Sequence, residues 1–491
     1  MATDRLTGLD ASFLHLENGG AHMHVAGVML FAGRPPDYDQ LVEATERRLH
    51  LVPRYRQKLA FVPFGQGRPK WIDDPHLNLR YHIRRTALPP PGGEDQLRAL
   101  ASRVFSQPLD RDKPLWELWL VEGLSDGPGG PRFAVLSKTH HALVDGISGV
   151  DIVSVLFDAT PEPPPAVEEP AQWLARPEPA RAQLLAEALL ERTTLPGEIV
   201  RSMRAVLRGP RMVARTAFDS LVGLGAMTWA GLRPPPPSPY NTEIGPHRRF
   251  TWVRTNLDDV KAVKNALGGT VNDVVLATVA GALGRHMRRR GDDLGDGVLR
   301  AMVPVSVRSE SERGALGNRV AAMMAPLPVA EEDPRARLDA ISAAMATIKR
   351  SGQAVGAQVL TNLSGFAPPT VMAQASRLIS TQRFFNLVVT NVPGPQFPLY
   401  LLGRELIDIF PMVPLAKGQA LGVAIMSYNG RMNYGLVGDY DALADIDDLP
   451  ADFDAALSEL AAAAGVTLNG PPTARRQRRH VATAVDAPQP S

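Results

Sequence analysis

The chain has 491 residues, 44% of them hydrophobic and 21% charged, an ordinary globular balance over a length sufficient for about two to four domains. Lys+Arg 53 against Asp+Glu 51 leaves a net charge of +2, which argues against a dedicated nucleic-acid binder, because displacing counterions from a phosphate backbone needs a clear basic excess. With Cys 0 there is no disulfide framework, no thiolate nucleophile and no Cys-ligated zinc or iron–sulfur centre.

The first residues carry Asp4 and Asp10 and lack the apolar core of a secretion signal. No run reaches the roughly 18 apolar residues of a membrane-spanning helix. The expectation is a soluble or peripheral, cytoplasmic chain. Residues 1–160 alternate short strands and helices. His24–Phe31 and Phe133–His141 are apolar runs bounded by turn formers, as strands are, and Asp39–Leu51 and Glu94–Phe105 carry apolar residues at helical spacing. The Gly127–Gly130 cluster precedes Pro131 and a strand, so it reads as a turn and not a phosphate cradle.

Residues 161–245 open with PEPPPAVEEP and close with RPPPPSP, stiff stretches that bracket a helical crossover. Within it Arg201, Arg204, Arg208, Arg211 and Arg215 recur every three to four residues, and the apolar Leu221–Leu232 follows. The stripe is either a solvated helix face or a segment lying on an anionic lipid surface. Residues 246–465 return to mixed structure. Strands are predicted over Leu299–Val307, Phe385–Thr390, Leu421–Tyr428 and Arg431–Gly438, and helices over Leu257–Leu267, Val271–Arg289, Ala336–Arg350 and Ala451–Ala464. Residues 466–491, with Arg475, Arg476, Arg478 and Arg479, read as a disordered tail.

The patterns GxGxxG, GxxxxGK[ST] and HExxH are all absent, so dehydrogenase, NTPase and zincin readings lose their usual support. The sharpest local feature is FAVLSKTHHALVDGISGVDIVSVLF, a strand running into His140 and His141, then a turn at Asp145 and Gly146, then a helix. Neighbouring side chains on a strand point to opposite faces, so the two histidines diverge and do not easily share one ion; no metal is expected. Asp145 could cap the following helix or pair with an arginine. A neutral imidazole here could take a proton from a hydroxyl as it attacks an acyl group, with no covalent intermediate. A packing or capping role for the histidines is the competing reading.

The HHxxxDG pattern of His140, His141, Asp145 and Gly146 resembles that of acyl-CoA-dependent acyltransferases related to chloramphenicol acetyltransferase and to peptide-synthetase condensation domains. Further stretches resemble one branch, the bacterial wax ester synthase/diacylglycerol acyltransferases. They are DASFLHLE (Asp10–Glu17) with Met23 and His24, Pro114-Leu115-Trp116, Thr270-Val271-Asn272-Asp273, Gly317-Asn318, and NVPGP (Asn391–Pro395). The resemblance spans roughly residues 6–465 in matching order.

It implies a mixed α/β fold of two chloramphenicol-acetyltransferase-like domains, 1–160 and 246–465, each a mixed sheet flanked by helices, with an active-site tunnel between them. It implies that His141 is the general base, that His140 and Asp145 hold the loop, and that Asn272 and Asp273 line the tunnel. On the residues alone, Asn272 could equally cap its helix. Pro114, Leu115 and Trp116 could be a turn with a core anchor. Asn391 could belong to a rigid loop, or its amide could stabilise an oxyanion. The implied reaction is acyl transfer from acyl-CoA, as co-substrate and with no cofactor, to diacylglycerol or a long-chain alcohol, at a membrane or lipid-droplet surface. Two rivals share the fold: a condensation-type enzyme with a carrier-protein donor, and a non-catalytic lipid-binding scaffold.

Overall fold

The computed structural model describes residues 5–17, 19–144, 152–162, 173–190, 235–306, 320–350 and 385–470. Asp145, Gly146, Gly317, Asn318, the Arg201–Arg215 stripe and Leu221–Leu232 lie outside the described residues.

In chain order the first half runs α1 (Gly8–Leu16), β1 (His24–Ala32), α2 (Tyr38–Arg48), β2 (Gln57–Ala60), β3 (Lys70–Asp73), the one-turn α3 (Leu79–His82), β4 (Ile83–Ala87), α4 (Glu94–Ser106), β5 (Trp116–Glu122), β6 (Arg132–His140), α5 (His141–Val144) and α6 (Ile152–Leu156). Helix α7 covers residues 181–190. The second half runs β7 (Arg248–Asn256), α8 (Leu257–Leu267), α9 (Val271–Arg290), β8 (Val298–Ser306), β9 (Val320–Pro328), α10 (Pro334–Arg350), β10 (Leu387–Pro393), β11 (Tyr400–Leu401), β12 (Arg404–Met412), β13 (Leu421–Tyr428), β14 (Arg431–Asp439) and α11 (Leu449–Ala463).

These strands form two six-stranded mixed sheets, β11-β12-β1-β6-β5-β4 and β7-β14-β13-β10-β8-β9, and a small β2-β3 ribbon. The hairpin β11-β12 comes from the second half of the sequence yet pairs with β1 in the first sheet, antiparallel, Val28 opposite Phe410. A boundary that assigns all of 246–465 to one domain therefore misses a strand exchange.

Local chemistry explains many bounds. Helix α8 starts where the Asn256 side chain accepts the Asp258 N–H and ends at Gly268, with φ 94. Helix α9 is buried along most of its length, in a core with β8, β9, α10 and α11. Among the described residues no single helix is long and apolar enough to cross a membrane. The crossover's described helix, α7, buries Leu184 against Ala60 and Ile72 of the ribbon. Arg176 just before it donates to Asp73. The tail expected to be disordered from residue 466 is anchored at its start: the amides of Asn469 and Gly470 donate to the Asp259 carboxylate at 2.9 and 3.1 Å, a helix-face acceptor that the local composition does not reveal.

A third apolar cluster joins the two sheets, with Val28, Leu30 and Phe105 from the first half meeting Phe250, Trp252 and Phe410 from the second. Trp252 stacks on Phe410 at 4.8 Å. Strand β7 is a sheet edge, and α4 covers it. Ser102 Oγ accepts the Phe250 N–H at 2.9 Å and Ser106 Oγ accepts the Arg248 N–H at 2.8 Å. These hydroxyls satisfy donors that an open edge would leave free for aggregation.

Candidate active site

Helix α1 begins at Thr7, whose hydroxyl accepts the Asp10 N–H, and closes at Glu17. The Glu17 carboxylate accepts the Met23 N–H at 2.8 Å, is bound by the Arg111 guanidinium, and lies 3.3 Å from His140 Nε2. Burial pushes this carboxyl up, but His140, Arg111 and Met23 together outweigh it and hold its pKa at about 2, so it is ionised near neutral pH.

His140 ends β6. Its backbone N–H donates to Leu115 O at 2.9 Å. Its Nδ1 accepts the Ala142 N–H at 3.1 Å. A nitrogen that accepts carries no proton, so a neutral His140 ring keeps its proton on Nε2, 3.3 Å from the Glu17 carboxylate. His140 is thus fixed within the fold through Nδ1, with its ring buried beside Glu17. The same contact corrects the expected strand. It stops at His140 and does not include His141, because the Ala142 N–H turns back to the histidine side chain and starts α5.

His141 is the first residue of α5 and is half-buried. Its N–H donates to Met23 O at 2.8 Å, and its ring stacks on Phe13 of α1, centroids 4.0 Å apart at 26°. Met23 therefore links the two groups: its N–H is held by Glu17 and its carbonyl by His141.

The layer beneath is polar and closed. His24, opposite His140 in register, places Nε2 2.9 Å from Phe105 O. Burial, with Lys138 nearby, holds its pKa well below the ordinary imidazole range, so it is neutral. Lys138, fully buried, donates to Val104 O and Gln107 O and lies 3.3 Å from Glu117.

Pro114, Leu115 and Trp116 are all buried. Trp116 stacks on His82 at 4.6 Å and its Nε1 donates to Tyr55 O at 2.9 Å. The Leu115 carbonyl that takes the His140 N–H belongs to this turn, so the motif supports the strand end from below and is a turn and core anchor. In the second half the Asn391 amide donates to Asn272 Oδ1 at 3.4 Å, which brings two of the sequence-predicted residues together. Asn272 does not cap α9. Thr270 does, reciprocally with Asp273: Thr270 Oγ1 accepts the Asp273 N–H, and Asp273 Oδ2 accepts the Thr270 N–H at 2.8 Å. Asp273 is buried, and its Oδ2 closes that box. Gly394 of the NVPGP stretch is required by close approach, since a Cβ there would lie 2.5 Å from Ser427 O.

Glu17 is the residue that sequence reasoning did not assign. Its motif is visible as DASFLHLE, but an acid at a helix end does not announce a partner at residue 140.

The catalytic-domain family model for wax ester synthase/diacylglycerol acyltransferase matches residues 6–275, and the C-terminal-domain model of the same family matches residues 316–461. Two Mycobacterium tuberculosis proteins that carry the name diacylglycerol O-acyltransferase are similar over nearly their whole length. The tgs2 protein is 34% identical over 469 residues, 93% of this chain and 98% of the relative. The tgs1 protein is 32% identical over 463 residues, 94% and 96%. The structure of the wax ester synthase/diacylglycerol acyltransferase from Marinobacter aquaeolei VT8 superposes with a TM-score of 0.65 at 28% identity, over 94% of this chain and all of that one. The starter condensation domain of rhizomide synthetase shares the fold, with a TM-score of 0.56 at 12% identity over 96% of both chains. With both family models matched in order along one two-sheet chain, this protein belongs to the wax ester synthase/diacylglycerol acyltransferase family and is an acyltransferase.

Proposed function

We propose that the enzyme moves a long-chain acyl group from acyl-CoA to diacylglycerol, and to long-chain alcohols as a second acceptor class, with His141 as general base. The acceptor hydroxyl gives its proton to the His141 ring as its oxygen attacks the thioester carbonyl. The tetrahedral intermediate collapses, the C–S bond breaks, and the departing thiolate takes the proton back from His141. The products are an ester and free CoA, and no group on the protein is acylated. Asn391, oriented through Asn272, is the side-chain donor assigned to the oxyanion. The observation that supports this reading is that the fully buried His140 ends β6 with Nδ1 taken by the Ala142 N–H and lies 3.3 Å from Glu17, whereas His141 opens α5 half-buried on the Phe13 ring. Asp145 and Gly146 are assigned to shaping the loop that follows.

Product analysis with a long-chain acyl-CoA, offered diacylglycerol and hexadecanol in parallel, tests the reading. Triacylglycerol is the expected main product. No ester from free acyl-CoA with either acceptor would favour a carrier-protein donor or a non-catalytic role.

A lipid surface is the proposed workplace, because the acceptor is nearly insoluble. Its support is a group of exposed apolar side chains on the ribbon side. Phe64 is 87% exposed at φ 58, a left-handed conformation costly for a bulky residue, and Leu190 at the end of α7 is 65% exposed. The two segments meet, since a Cβ on Gly67 would lie 2.9 Å from the Ala188 Cβ. Phe64→Ser should reduce flotation with anionic vesicles; unchanged flotation would place the contact elsewhere, with the Arg201–Arg215 stripe as the next candidate.

A further inference from the structure

A cleft of about 1020 Å³ lies between α4 and the approach to β7, and nothing in the reaction above uses it. Both halves build it. Helix α4 supplies Arg98 and Arg103, the segment before and into β7 supplies His247 and Arg249, and the residue after β14 supplies Tyr440. Two acids, Asp95 and Asp447, share the lining, and Asp95 is already taken by Arg98 at 2.8 Å. Arg103 is exposed and makes no ion pair among the described residues. Arg249 lays its guanidinium over the Tyr440 ring at 4.0 Å, and His247 meets the same ring edge-on at 6.2 Å. Tyr440 nevertheless keeps 45% of its surface exposed. A cleft with uncompensated guanidinium groups beside an open aromatic face suits an anionic ligand that carries a flat ring, and suits an uncharged diacylglycerol poorly.

The cleft also reaches toward the histidine loop. His22 lines it, and the next residue, Met23, is the one whose carbonyl holds the His141 N–H. Gln107 lines it too, and its carbonyl holds Lys138, two residues before His140. Neither His140 nor His141 is part of the lining itself. The cleft is therefore separate from the histidine pair, and only its innermost residues adjoin the groups that hold that loop.

We propose that this cleft binds the nucleotide end of acyl-CoA, with its phosphates against Arg103 and Arg249 and its adenine against Tyr440. The assignment rests on acyl-CoA being the donor. The pantetheine arm then runs inward past His22, so the thioester arrives from the side of the sheet where Glu17 and Met23 hold the loop. Guanidinium–phosphate contacts fix position and are charge-assisted, whereas a ring on an aromatic face adds stacking that any purine could provide.

The probe is adenosine 3′,5′-bisphosphate, titrated calorimetrically into the full-length protein and into Arg103→Ala, Arg249→Ala and Tyr440→Ala. Binding to the parent should weaken on adding salt, and each arginine variant should bind about tenfold more weakly. In parallel, the ratio of kcat/KM for an acyl-CoA to that for the matching acyl-pantetheine should fall by about tenfold in each arginine variant, because only the first donor carries the nucleotide. Arg103 is exposed and makes no ion pair among the described residues, so its variant keeps the test valid if Arg249→Ala fails to fold. Bisphosphate that does not bind the parent, or binds all variants equally, overturns the site. Turnover from acyl-CoA with an unchanged donor ratio overturns it as well while leaving the donor reading intact. Bisphosphate binding that the variants lose, in an enzyme that makes no ester from acyl-CoA, keeps the site and overturns the donor reading.

Discussion

Glu17→Gln isolates the support of the histidine loop, because it changes a charge and almost no volume. The carboxylate accepts from two donors, the Met23 N–H and Arg111, and lies 3.3 Å from His140 Nε2. An amide has one oxygen and must turn N–H groups toward at least one of those donors. A carboxyl held at about 2 instead of its ordinary 4.5 contributes on the order of 3 kcal/mol of folding stability. The side chain is 15% exposed, so solvent screening removes little of this. Since the folded form is the stronger acid, the contribution is complete above about pH 4.5 and disappears as pH falls toward 2.

Urea unfolding followed by tryptophan fluorescence should therefore show the variant about 2–3 kcal/mol less stable at pH 7, with the gap narrowing to about 1 kcal/mol at pH 3. Turnover should fall on the order of 10- to 100-fold, because the Met23 carbonyl that fixes His141 loses its anchor, and small misplacements of a base are costly. A variant as stable as the parent at both pH values, with a normal rate, would refute the idea that Glu17 holds this loop.

Other perturbations separate chemistry from support. His141→Ala should lower the rate by about 10²–10⁴-fold while losing only the stack on Phe13, about 1 kcal/mol of stability, whereas His140→Ala should lose activity and about 1–3 kcal/mol, since the buried Ala142 N–H loses its acceptor. Gly435→Ala should unfold the protein or cut its soluble yield, because the new Cβ would lie 1.8 Å from Pro411 O on β12; circular dichroism and expression level check this. Treatment with EDTA should leave the rate unchanged in the product assay; loss restored by one divalent ion would revive a metal-dependent reading.

What the sequence disclosed, and what it withheld, follows from the range of the forces involved. Leu257–Leu267 and Leu421–Tyr428 have the bounds that periodicity predicts, because capping and burial there depend on adjacent residues. The histidine pair stood out for a similar reason: its strand, turn and helix are contiguous. Arg404–Met412 alternates buried and partly exposed residues along its length, yet nothing in that pattern says that its partner is β1, nearly 400 positions earlier. The sequence left the cap of α9 open because Thr, Asn and Asp all accept amide protons, and only the backbone bend at Thr270 decides among them. Glu17 was hidden because a carboxylate's partner is chosen by the fold and not by spacing.

The strand exchange bears directly on how the histidines are held. Strand β12 pairs with β1, and β1 pairs with β6, which ends at His140. Without β12, β1 would present a long open edge, the kind of surface that slips register or aggregates. Buried charge fixes the same joint. Arg254 of β7 binds Glu94 of α4 at 2.7 Å and Asp408 of β12 at 3.0 Å, and Asp408 also accepts from Arg431 and Asn433 of β14. Burial pushes the Glu94 carboxyl up, but Arg254, Trp252 and Arg132 hold it at about 2. Removing Arg254 would take a partner from Glu94 and from Asp408 at once, leaving Arg132 on the first and Arg431 on the second. Gly435 lets the β12 backbone come within contact of β14, so the two sheets meet main chain to main chain there. The halves therefore form one structural unit, and the loop that carries His141 depends on a strand supplied by sequence more than 250 residues downstream.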